Sequence, residues 1–244
     1  MLKENKKIIA VEKSEGDGAI VKRLFPTAYH NHFDPFVLMD EFFVEAPNEF
    51  SPHEHSGFEA ISYMLGGAFR HEDNQGNEQE VAQGGLQTFN AGKGIVHSEA
   101  PGTSGYAHGM QIWINLPSDL KDSEPEYQAL KPDNVPVQEK DKMKIRSLIG
   151  PGSPIKLKTE VLLQDITLET GGIYNLQLAD EMYGIIYVVD GIIEADTKLN
   201  EGEALLLTSE ASLEIQTVAD ESRFIFVAGK PHGDNIKIKG SHVL

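Results

Sequence analysis

Apolar residues in this chain recur as short β-branched or aromatic bursts: Phe58 to Leu65, Gln111 to Leu116, Gly184 to Val189, Ala204 to Leu207 and Arg223 to Ala228. Turn signals separate them at short intervals, among them Leu65-Gly66-Gly67, Gln83-Gly84-Gly85, Ala91-Gly92-Lys93-Gly94, Asp190-Gly191 and Glu201-Gly202. A parallel α/β sheet needs long amphipathic helices between its strands. Only one short helix is expected, over 122–130. The pattern therefore predicts an all-β protein built as barrels or sandwiches.

From Pro117 to Pro154 the composition shifts to Pro, Lys, Asp and Glu with few apolar bursts, as in a connector between two cores. We expect an N-terminal domain over 1–120, a connector over 121–154 and a C-terminal domain over 155–244. The stretches 62–92 and 186–210 both read strand, Gly turn, polar strand, Gly, apolar strand, the mark of a diverged duplication.

Charge and composition narrow the chemistry. With 21 basic and 38 acidic residues among 244, the formal charge of −17 repels phosphate backbones and anionic lipid surfaces. Direct nucleic-acid binding and membrane association are not expected. The absence of cysteine excludes disulfides, thiolate metal ligands and a cysteine nucleophile. No signal-like or membrane-spanning run is evident, so the expectation is a soluble, cytoplasmic protein.

Seven of the nine histidines lie at or before His108. The densest cluster is Pro52-His53-Glu54-His55-Ser56-Gly57-Phe58-Glu59, followed by His97-Ser98-Glu99. Residues two apart on a strand share a face, so His53 projects with His55, and His97 with Glu99. Glu59 keeps the parity of the first pair. Three imidazoles and a carboxylate suit a divalent first-row metal, Fe, Mn, Ni, Cu or Zn, and either carboxylate could complete the set. His30, His71, His108, His232 and His242 taken singly read as surface or core residues, and His30-Asn31-His32 as a loop.

His53-X-His55-X3-Glu59-X6-Gly66 resembles the first cupin motif, and residues 85–97 resemble the second. Four longer blocks resemble the pirin family: residues 34–42, 53–59, 92–99 and 107–116. The resemblance implies two antiparallel cupin barrels in tandem, a bicupin, with metal only in the N-terminal one. It implies His53, His55, His97 and Glu99 as ligands, with Fe(II) expected first, and leaves Glu59 and His108 as residues that orient the ligands. It also implies quercetin 2,3-dioxygenase activity, the opening of a flavonol ring by dioxygen, in which Glu99 is ligand and candidate general base. Phe36, Met39, Phe89 and Met110 are the expected lining of the substrate pocket.

Alternatives are a metal-dependent redox sensor that binds a protein partner, another cupin enzyme such as an isomerase, and a structural bicupin with a vestigial site. The chain departs from the family at Ser56, where a basic residue is usual, and at Thr88-Phe89-Asn90 in place of Trp-Met-Thr. Residues 234–244 lack the Gly-Pro-Phe-Val-Met-Asn-Thr segment and the helix that follows it, so no tail contact carries over from the resemblance.

Overall fold

The computed structural model describes residues 4–244. Its regular structure is antiparallel strand with two single-turn 3-10 segments, Ser118–Leu120 and Pro132–Asn134. Among the described residues no helix is long and apolar enough to cross a membrane. The expected helix over 122–130 is a correction. Pro125 has no N–H to give to a helix, Asn90 donates to Ser123 Oγ and to the Glu124 carbonyl, and Glu126–Leu130 pairs as a strand with Leu86–Asn90.

The chain forms two compact units, each an antiparallel barrel. One comprises Val11–Val135, Leu157–Thr159 and His232–Leu244. The other comprises the N-terminal segment up to Ala10, Pro136–Lys156 and Glu160–Pro231. These divisions differ from the sequence boundaries at 120 and 155. The polar stretch read as a connector carries three strands, Glu126–Leu130 in the first unit and Val137–Lys140 and Met143–Ile149 in the second. Polar residues interrupt the apolar ones in all three, which hides them from an apolar-burst criterion.

In the first unit the strand order is Glu126–Leu130, Leu86–Asn90, Phe58–Asp73, Tyr106–Asn115, Phe36–Glu45, Ala19–Phe25, Val11–Glu15. The 16-residue strand Phe58–Asp73 does two jobs. Its first half pairs Leu86–Asn90, and its second half pairs Glu78–Ala82 and Ile95–Pro101. Between the halves Gly67 has φ +67°, and a Cβ there would stand 2.2 Å from the Tyr106 carbonyl oxygen. Only glycine permits that bend. The strand Ile95–Pro101 is flanked on its other side by Phe50–His55, so the two histidine-bearing segments lie side by side.

The second unit pairs a seven-stranded sheet, centred on Tyr183–Asp190, Glu221–Gly229 and Val161–Glu169, with a four-stranded one. Alternate positions along its strands supply an apolar core that includes Ile186, Val188, Leu205, Phe224 and Phe226.

Candidate metal centre

Strand pairing sets His53 directly opposite His97, and His55 opposite Ile95. The ring centroids of His53, His55 and His97 are 4.5 to 4.9 Å apart, and one ligand nitrogen from each lies within 4.8 Å of the others. His53 Nε2 and His97 Nε2 stand 3.1 Å apart. Each outward nitrogen is engaged. His53 Nδ1 donates to the Ser51 carbonyl at 2.8 Å and His55 Nδ1 to the Ser241 carbonyl at 3.1 Å. A carbonyl acceptor fixes each ring's tautomer and leaves Nε2 with its lone pair free.

Burial, followed by repulsion from His53, pushes the His55 imidazole down to about 3, and burial with the three neighbouring imidazoles holds His97 well below its ordinary value. These two rings are therefore neutral at physiological pH. Neutral imidazoles with convergent free nitrogens fit a divalent cation, and the thiolate-free donor set suits iron, nickel, copper, manganese or zinc.

Glu99 is buried, with Oε1 receiving a hydrogen bond from Gln87 Nε2 at 2.8 Å and one from Ser62 Oγ at 3.3 Å. Burial raises its carboxyl to about 7, against the lowering effect of those two bonds. Its carboxylate lies within 4.8 Å of ligand nitrogens of His97 and His71. The tight imidazole triad does not include it, although Glu99, His53 and His55 line one cavity.

That cavity encloses about 530 Å³, within the range of small-molecule sites. Val37, Phe42, Phe50, Phe69 and Trp113 supply apolar wall, and Arg23, Asp40 and Gln111 supply polar groups. Arg23 is itself held by Asp40, through Nε at 2.8 Å and Nη2 at 2.6 Å.

Several expected roles are corrected. None of the four residues expected to line the pocket does so. Gln111 and Trp113 face the cavity, which turns Met110 to the opposite side of its strand, and Asp40 and Phe42 do the same to Met39. Phe36 sits at the register break opposite Ile114. Phe89 stacks behind the imidazoles, 5.8 Å from His55 at an interplanar angle of 10°. His108 pairs with Glu41 at 2.8 Å and stacks on Phe43.

Glu59 orients no imidazole. It accepts the backbone N–H groups of Lys158 and Thr159 at 2.7 and 3.0 Å, pinning that passing segment. Gly57, with φ +80°, separates its strand from that of His53 and His55, so parity does not carry across.

The C-terminal stretch, from which no contact was expected, is part of the site. Ile238, Gly240 and Ser241 line the cavity, and Ile236, Ile238 and Val243 join an apolar cluster with Phe58 and Trp113. Ser56 Oγ and His242 Nδ1 are 2.9 Å apart, and Val243 N–H donates to the Ser56 carbonyl at 3.0 Å. Ser56 thus receives the tail. A Cβ on Gly57 would stand 1.9 Å from the Val243 carbonyl oxygen.

The sequence reading also passed over His71, which is fully buried with Nδ1 3.3 Å from His97 Nδ1. Its spacing to Asp73 was a local signal, but its partner appears only when the strands pair.

Comparison with known proteins accords with this architecture. Residues 18–114 match the family described as Pirin, and residues 163–244 match the pirin C-terminal cupin domain. A pirin-like protein of Arabidopsis thaliana is 37% identical over 257 residues, covering 98% of this chain and 83% of its own. The crystal structure of quercetin 2,3-dioxygenase from Acinetobacter baumannii is similar with a TM-score of 0.88 at 22% identity, over 98% of this chain and 83% of that one. Bacterial pirin YhhW from Escherichia coli, in complex with nickel(II), is similar with a TM-score of 0.78 at 24% identity, over 93% of this chain and 99% of that one. The two structural likenesses carry the fold, a bicupin.

Proposed function

The chain belongs to the pirin family, and on that premise we propose that it is a metal-dependent dioxygenase able to open flavonols such as quercetin. The observation that carries the proposal is the convergence of three imidazoles, one nitrogen of each within 4.8 Å of the others, with His53, His55 and the buried Glu99 carboxyl lining a cavity of about 530 Å³. Fe(II) is the proposed cation, because its imidazole and carboxylate preferences match this donor set and it is competent with dioxygen. When bound, such a cation supplies Lewis acidity toward a substrate oxygen and the capacity to use O₂.

His53, His55 and His97 hold the cation, and Glu99 supplies the anionic charge beside them. Glu99 is also the proposed base for the flavonol 3-hydroxyl. Burial raises its carboxyl to about 7 when no cation is present, and a cation beside it draws it to the ionised form, the form that accepts a proton. Gln87 and Ser62 bind Oε1, which fixes the carboxyl while the other oxygen remains available to receive a proton. The walls formed by Val37, Phe42, Phe69 and Trp113 suit a flat aromatic ligand and keep bulk water from it, and Gln111 and the Arg23–Asp40 pair can meet its hydroxyl groups.

Anaerobic loading with Fe(II), followed by addition of quercetin and O₂, tests the reading. Oxygen consumption with bleaching of the flavonol is expected, and its loss in Glu99→Ala. Stoichiometric metal with no oxygen uptake would overturn the oxygenase reading in favour of a sensor. Turnover without oxygen would point to another cupin reaction.

A further inference from the structure

His97 has a different environment from the other two imidazoles. Strand pairing places His53 opposite it on one side and Asp73 opposite it on the other, while His71 lies opposite Glu99. Among the described residues no carbonyl receives the Nδ1 of His97 as one does for His53 and His55; the ring faces His71 instead, Nδ1 to Nδ1 at 3.3 Å. His71 Nε2 in turn stands 3.1 Å from Asp73 Oδ2.

The direction of each hydrogen bond follows from Asp73. Its oxygens accept from the backbone N–H groups of Gln75 and Asn77 and from the Asn77 side chain, at 2.8 to 3.0 Å. A group so surrounded by donors is an acceptor, so His71 Nε2 carries the hydrogen. A neutral imidazole has one N–H, which leaves His71 Nδ1 as an acceptor and makes His97 Nδ1 the donor. That tautomer of His97 presents the Nε2 lone pair toward His53 Nε2, 3.1 Å away. Tyr127 stacks on His71, with centroids 4.5 Å apart at an interplanar angle of 22°, and donates to Gln87 Oε1 at 3.0 Å. One aromatic thus braces His71 and, through Gln87, Glu99.

We infer that His71, anchored by Asp73, is the positioning residue of the centre: it fixes the tautomer and orientation of His97, as the carbonyls of Ser51 and Ser241 do for His53 and His55. This rests on the reading of His53, His55 and His97 as ligands. It assigns a role to a carboxylate and an imidazole that contact no substrate. It also accounts for a buried histidine, fully shielded from solvent, whose burial would be costly without partners at both nitrogens.

The test is titration of the metal-free full chain with Ni(II), alongside thermal unfolding of the same metal-free proteins and the Co(II) absorption spectrum. His71→Phe keeps the ring and its stack on Tyr127 but cannot accept from His97. Asp73→Asn keeps the shape but presents a donor to His71 and reverses its tautomer. Each is expected to weaken Ni(II) binding by about 10–100-fold and to shift the Co(II) bands, while His71→Gln, which retains an acceptor, restores binding to within a few-fold of the parent. Metal-free unfolding temperatures should not follow this order.

His53→Ala separates the two levels. If it abolishes binding while His71→Phe and Asp73→Asn bind like the parent, the positioning role is overturned and the centre stands. If His53→Ala itself binds like the parent, the centre is overturned as well. A second equivalent of Ni(II), lost in His71→Phe, would make His71 a ligand and overturn the positioning role. Should His71→Phe fail to fold, Asp73→Asn and His71→Gln decide the matter.

Discussion

The two barrels share an antiparallel build and differ in what their interiors hold. In the C-terminal barrel the inward positions are one continuous apolar cluster, from Ile166 and Leu168 to Phe224 and Phe226. In the N-terminal barrel His55, His71, His97, Glu99, Gln87 and Ser62 are buried among apolar residues that include Phe42, Phe58, Phe69 and Phe89. Among the described residues, every group of side chains able to hold a metal lies in that barrel. Buried polar groups cost stability unless each finds a partner. The N-terminal barrel links Gln87 and Ser62 to Glu99, and His71 to His97, by hydrogen bonds and leaves room for a cavity, whereas the C-terminal barrel packs an apolar cluster into its interior.

The contrast can be broken most severely by removing the imidazoles. His53→Ala combined with His97→Ala is expected to abolish stoichiometric metal binding, read as metal content after dialysis, with little loss of metal-free thermal stability. Equal metal in parent and variant would end the comparison. The complementary change is Phe224→Ala in the other barrel, which deletes a fully buried ring. It should cost about 3–5 kcal/mol in denaturant unfolding, while the metal affinity of the folded molecules stays within a few-fold of the parent. A large drop in affinity without loss of stability would show that the two interiors are not independent in function.

Smaller effects sharpen the picture. Gly57→Ala introduces a Cβ against the Val243 carbonyl and should displace the C-terminal stretch that carries Ser241, loosening His55. A drop in metal affinity of about tenfold is expected, with faster hydrogen exchange confined to residues 236–244 and their partners. Unchanged affinity would mean that His55 does not need the tail.

The smallest effect is protonic. Glu99, raised to about 7, must lose its proton to face a cation, so metal affinity should rise with pH up to about 7 and level off above it. His55 and His97, lowered by burial, have no proton to release in that range. Calorimetry in buffers of different ionisation enthalpy should find close to one proton released from Glu99 per metal at pH 6, about a tenth of one at pH 8, and none from this position in Glu99→Gln. The same release in that variant would assign the proton elsewhere.

The parts of this molecule visible in its sequence are those set by short-range periodicity. His53-X-His55 and His97-X-Glu99 could be read from strand parity, and the alternation of apolar bursts and Gly turns conveyed an all-β chain of barrels or sandwiches, the two tandem barrels being what the family resemblance implied. Parity failed wherever the chain bends. Gly57 turns Glu59 away from the histidines, and the cavity face carries Asp40 and Gln111 where the apolar neighbours Met39 and Met110 were expected.

What the sequence did not disclose depends on long-range pairing. His71 acquires meaning only when residues 68–73 lie beside 97–101, and the tail only when Ser56 meets His242, 186 positions away. Local composition carries no trace of such contacts. The strand Glu126–Leu130 was hidden for a related reason, since its pairing with Leu86–Asn90 decides its structure and its own apolar content does not.

The central claim is that the N-terminal barrel alone holds a cation, among His53, His55 and His97. An anomalous difference map from crystals grown with one equivalent of Ni(II) tests it most directly. The account predicts one peak per chain within bonding distance of those three imidazoles and none in the C-terminal barrel. A peak at any other set of residues, with none at the triad, would contradict it.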